Sequence, residues 1–123
     1  MFFEVDWEDR GGILVARCMG IWDQEILRDF RLALFKRLDA ARCSSFDHLV
    51  DSRNTAPQPK SLTDEMEDLI RDLNARGMQR TAVVATSSIL RMQLNRIGSS
   101  SNRRFFEDEA LARAWLTSDG EVE

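Results

Sequence analysis

An α/β domain built on a mostly parallel sheet is the fold class this sequence predicts. Strand-type and helix-type stretches alternate along it, which implies parallel strands joined by right-handed crossovers. Two strands, Ile13-Leu14-Val15-Ala16-Arg17-Cys18-Met19 and Thr81-Ala82-Val83-Val84-Ala85, are apolar on both faces, as interior strands of a covered sheet should be. The chain then passes from Arg103-Arg104-Phe105-Phe106 straight into an amphipathic stretch ending at Trp115-Leu116, a closing strand-helix unit.

The elements follow in order. Phe3, Val5 and Trp7 alternate with Glu4, Asp6 and Glu8, giving a half-buried first strand. Asp9-Arg10-Gly11-Gly12 makes a tight hairpin turn into the second strand, which Gly20 ends. Asp23 caps a first helix whose inward stripe is Ile26, Leu27, Phe30, Leu34, Leu38 and Ala41. Phe46 to Asp51 is the third strand, and Ser52 to Lys60, with both prolines, is loop. Ser61 opens the second helix, with Asp64 as a capping-box partner. Its stripe is Leu62, Met66, Leu69, Ile70 and Leu73, and Gly77 stops it. After the fourth strand, Ser87 or Ser88 caps a short third helix to about Ile97. Residues 98–102 form a low-complexity turn. In the last helix Glu107, Asp108 and Glu109 favour the N-terminus, and Ala110, Leu111, Ala114 and Trp115 share one face. The order is ββαβαβαβα: five strands with an N-terminal β-hairpin, and four helices.

A chain of 123 residues predicts one domain over 1–123. Its net charge of −4 argues against a nucleic-acid partner, which needs a basic footprint. No apolar run reaches the roughly 20 residues of a membrane span, and the N-terminus lacks a signal-peptide pattern. Cys18 and Cys43 have no metal-ligand spacing and read as reduced thiols of a cytoplasmic protein. The single histidine, His48, sits in an apolar strand and reads as structural.

The element order, Asp51 ending the third strand, the Val83-Val84 strand and the closing Phe105-Phe106-Glu107-Asp108-Glu109-Ala110 and Ala114-Trp115-Leu116 together resemble the SpoIIAA-like branch of the STAS domains. The resemblance covers nearly the whole chain. It implies a STAS-like fold, a regulatory role in protein binding, and a relation to lipid-binding Sec14-type domains. The family's switch proteins carry a phosphorylatable serine at the start of the helix after the third strand, in a small-residue context. Ser61 takes that place, with Ser52 as the other candidate switch serine. The context departs from the family's, because Leu62 follows Ser61 and no glycine is near. Asp64 and Glu65 would also repel a phosphate.

Other constellations complete the expectation. Asp51, Ser52, Ser87 and Ser88 should gather at the C-terminal edge of the sheet, where open α/β sheets bind ligands or partners. Leu32 and Phe35 lie off the inward stripe of the first helix, three residues apart, and make a candidate interaction surface. Arg91, Arg96, Arg103 and Arg104 fall in a stretch, 76–106, that has no acidic residue, and form a candidate anion-facing cluster. Trp7, Trp22, Trp115, Phe30 and Phe35 serve either as core or as walls of an apolar pocket. No phosphate loop, metal set or Ser-His-Asp arrangement is present, so neither cofactor nor catalysis is expected. The leading expectation is a non-catalytic regulatory or scaffolding module that forms a homodimer. The alternative is a carrier or sensor of a small apolar or lipid-like ligand, held near Trp22, Phe30 and Trp115.

Overall fold

The computed structural model describes residues 2–97 and 102–118, and the turn expected over 98–102 lies almost wholly outside them. Strands β1 (Phe3–Glu8), β2 (Ile13–Gly20), β3 (Phe46–Thr55), β4 (Met78–Val84) and β5 (Arg103–Phe106) form one sheet. Their spatial order equals their chain order. β1 runs antiparallel to β2 across the Gly11-Gly12 turn, and the remaining pairs are parallel. Helices α1 (Gln24–Ala41), α2 (Thr63–Arg76) and α3 (Ser88–Asn95) connect the parallel strands, and α4 (Glu109–Leu116) follows β5.

Stepping one strand in the same direction each time, right-handed crossovers place their helices on one face. The packing agrees. Leu14, Ala16 and Cys18 of β2 pack with Leu27, Phe30, Leu34 and Leu38 of α1 and Leu69 and Leu73 of α2. Leu90 of α3 joins that side through Val83 and Val50. The alternate residues Ile13, Val15, Leu49, Ala82 and Val84 face α4 through Ala112 and Leu116. Three helices thus cover one face and a single two-turn helix covers the other.

Caps fall mostly where the sequence places them. Asp23 accepts the Ile26 N–H at 2.9 Å, and Ser87 accepts that of Leu90 at 3.2 Å. Gly77 ends α2 at φ 125°, where a Cβ would come within 2.3 Å of the Ser44 carbonyl oxygen. Only glycine suits both that conformation and that approach.

Three expectations are corrected. β3 runs four residues past Asp51, because β2 is long enough to pair with it as far as Gly20–Thr55, so Ser52 is strand rather than loop. Ser61 caps nothing: a 3-10 turn over Lys60–Leu62 precedes α2, and Leu62 occupies the cap position without a side-chain bond. On α4 the residues turned inward are Ala112, Trp115 and Leu116, while Ala110, Leu111 and Ala114 are exposed. The sheet beneath α4 presents charged groups, and these draw Glu109 and Arg113 inward.

Candidate functional site

The parallel register lays side chains out in rows across the sheet. Arg17, Asp51, Val84 and Phe106 form one row on the α4 face. Asp51 is clamped there. Arg53 donates to it from Nε at 2.9 Å and Nη2 at 2.8 Å, and Arg17 donates at 3.1 Å. Arg17 also donates twice to Glu109, at 2.8 and 3.2 Å. Arg113 bridges Glu109, at 2.8 Å, to Glu8, at 2.7 and 2.8 Å. Three arginines and three carboxylates make a balanced lattice that docks α4 on the sheet. The Arg17 and Arg113 bonds hold the Glu109 carboxyl down at about 2. The Arg53 bond lowers that of Asp51, and the Arg113 bond lowers that of Glu8. Such a carboxylate is committed to its arginines and is not poised to take up a proton near neutrality.

A row three residues earlier along the strands, Leu14, His48, Thr81 and Arg103, faces the opposite way, towards α1, α2 and α3. It borders a cavity of about 130 Å³ between α2 and strands β3 and β4. Leu27 and Phe30 of α1, Met66, Leu69, Ile70 and Leu73 of α2, and Leu90 and Leu94 of α3 line it with Val50, Val83 and Trp22. The lining is overwhelmingly apolar. At the C-terminal edge of the strands Gln58 straps the mouth. It donates to Gly20 and Ala56 carbonyls at 3.0 and 2.6 Å and exchanges two bonds with the Gln93 side chain.

Polar groups in this wall lack partners. His48 is 5% exposed, and its Nε2 has no hydrogen-bond partner. Burial lowers the imidazole to about 4, so it is neutral near pH 7. The Arg103 Nε is likewise buried and unpartnered, although its Nη2 donates to the Ile97 carbonyl at 2.7 Å. Thr55 Oγ1, towards the strapped mouth, is a third such atom. The Thr81 hydroxyl meets only the Met78 sulfur, at 3.2 Å. Buried polar groups are normally satisfied, so unpartnered ones around a void mark a place for something else to bind. Cys18 also lines the space, and burial pushes its thiol up to about 12, which makes it inert there.

The structure separates residues that the sequence suggested as groups. Asp51 and Ser52 are consecutive in β3 but face opposite sides: Asp51 enters the ion lattice, and Ser52 is buried against the cavity. Ser87 caps α3, Ser88 is exposed, and Ser61 is exposed in the 3-10 turn. The four arginines do not converge. Arg91 donates to the Ala85 carbonyl and lies 5.9 Å from the Phe105 ring centre. Arg96 is exposed at the end of α3, and Arg103 borders the cavity. Arg104 reaches the Trp115 ring on the α4 face, as Arg80 does. Leu32 is 65% exposed, whereas Phe35 packs partly against the core beneath Arg31. Of the pocket aromatics, Trp22 and Phe30 line the cavity, while Trp115 packs on Phe106 across the sheet. The polar row was missed in the sequence, although one signal was visible: His48 stands just before the apolar pair Leu49-Val50 of β3, and Thr81 just before the apolar run Ala82-Val83-Val84 of β4.

No family model matches the sequence, and no curated protein matches it. Among solved structures, the chain is similar to the crystal structure of an uncharacterized protein from the DUF3478 family with a SpoIIAA-like fold, from Shewanella loihica PV-4. The two align with a TM-score of 0.66 over 94% of each chain. The chain has a SpoIIAA-like fold. With 17% of residues identical, this likeness bears on the fold alone. Among the described residues no helix is long and apolar enough to cross a membrane. Nor do they bring three His, Cys, Asp or Glu side chains together as a metal-binding group.

Proposed function

We propose that this protein is a non-catalytic carrier or sensor of a small, largely apolar molecule, held between α2 and the sheet. The observation that carries this reading is the apolar void of about 130 Å³ with an unpartnered, buried imidazole nitrogen in its wall. An apolar cavity of about 150 Å³ suffices to bind benzene. A non-catalytic reading is supported by Asp51, the carboxylate that the sequence placed at the C-terminal edge of the sheet: it turns to the α4 face, away from the cavity, with both oxygens engaged by arginines. Binding to the folded state alone raises stability, by about 2.7 kcal/mol at a hundredfold excess over Kd. Titration with benzene or hexanol should therefore raise the unfolding temperature. Native mass spectrometry of protein purified from its own host should show a retained small molecule. No shift with either probe and no added mass would remove this reading.

A second reading, a regulatory or scaffolding module that forms a homodimer, is favoured by exposed apolar side chains on two helices. Leu32 of α1 is 65% exposed, and Ile89 and Met92 of α3 are 63% and 57% exposed. The SpoIIAA-like fold is compatible with such a module. If α1 makes the contact, Leu32→Asp lowers the sedimenting mass to that of one chain. An unchanged mass and unchanged partner capture would discard that surface.

A further inference from the structure

We infer that the ligand of this cavity is a small monocarboxylate, with an apolar body of about five or six carbons in the void and its carboxylate received by the row His48, Thr81 and Arg103. This deepens the carrier reading and rests on it. Three observations point to an acid. None of the described residues lining the cavity is Asp or Glu, and Arg103 is the one Arg or Lys among them. The buried Arg103 Nε has no partner, although Nη2 donates to the Ile97 carbonyl, and a cationic N–H left unpaired in an apolar wall calls for an anion. Thr81 and His48 extend the same row. Register sets the three residues on adjacent strands, about 4.8 Å apart, so Thr81 lies between the other two.

The chemistry of each member suits a carboxylate. Arg103 supplies charge and an N–H directed by a planar fork. The Thr81 hydroxyl now donates only to a thioether, a weak acceptor, and would exchange it for a strong one. His48, in the tautomer carrying hydrogen on Nε2, would donate the third bond. The apolar stem then runs among Leu69, Leu73 and Val83, where no polar partner is needed.

The test compares hexanoate with hexanol by calorimetric titration at pH 7, on the full chain and on Arg103→Gln and Arg103→Lys. Hexanoate should bind about tenfold or more tightly than hexanol, as a charge-assisted bond in a buried site allows. Arg103→Gln should abolish that preference while leaving hexanol affinity within about twofold, and Arg103→Lys should restore part of it. Hexanol binding as tightly as hexanoate to the unaltered chain would overturn the carboxylate and leave the cavity as a neutral apolar site. Unchanged hexanoate binding to Arg103→Gln would overturn the role of the row. If neither compound binds, the carrier reading falls, and this inference with it.

Discussion

His48 is a neutral imidazole in an apolar wall, and this has a consequence for stability. Its ordinary value of 6.5 falls to about 4 because burial disfavours the charged ring. The unfolded chain therefore binds a proton near 6.5 that the folded chain refuses until about 4, and stability drops as pH falls through that window. His48→Phe should flatten the denaturant-unfolding profile between pH 6.5 and 4. The same slope in both proteins would show that His48 is solvated. The single histidine was visible in the sequence as a polar residue in an apolar strand. Its neighbours were not, because the register that brings Thr81 and Arg103 beside it depends on pairing across residues distant in the chain. Arg103 stood out for its charge, but it was grouped with arginines that the fold sends elsewhere.

At the scale of elements, α4 shows where hydrophobic pattern and packing part. Ala110, Leu111, Ala114 and Trp115 suggest one buried face, yet only Trp115 of these packs inward, and Glu109 and Arg113 turn inward with Ala112 and Leu116. The partners responsible, Arg17, Arg53 and Glu8, lie on three different strands, out of reach of a local reading. Strand β3 fails in the same way at its end: Ser52 to Thr55 is polar enough to read as loop, and β2 holds it in the sheet. The helix starts at Asp23 and Ser87 and the stop at Gly77 were legible because caps are local. Glu109 gives the lattice its own test. Arginine bonds depress its carboxyl from 4.5 to about 2, so the stability it contributes is present above 4.5 and is lost as pH falls towards 2. Glu109→Gln should cost about 1–2 kcal/mol at pH 7 and make the acid slope below 4.5 shallower, leaving the share of Asp51 and Glu8. A wild-type slope in the variant would place the acid-labile group elsewhere.

At the scale of the whole molecule, the sheet is covered unequally. The α4 face closes with Ile13, Val15, Leu49, Val84 and Leu116 packed together and paired charges beside them. The three-helix face is wider, and α2 stands off strands β3 and β4 far enough to leave a void. Sequence pattern conveys which residues turn inward, and so the order of strands and helices was legible. It does not convey whether inward residues meet, and so the cavity was not. Leu69, on the α2 wall, tests that difference. Leu69→Phe adds apolar volume where space exists, and should stabilise the protein by about 1 kcal/mol while abolishing hexanol binding. Destabilisation of similar size would mean that the wall is already close-packed.

Crystals pressurised with xenon test the ligand cavity most directly, because xenon enters apolar voids without needing a polar handle. A strong xenon peak is expected between α2 and strands β3 and β4, bordered by Leu69, Leu73 and Val83. Side chains filling that space, with no xenon between them, would contradict it.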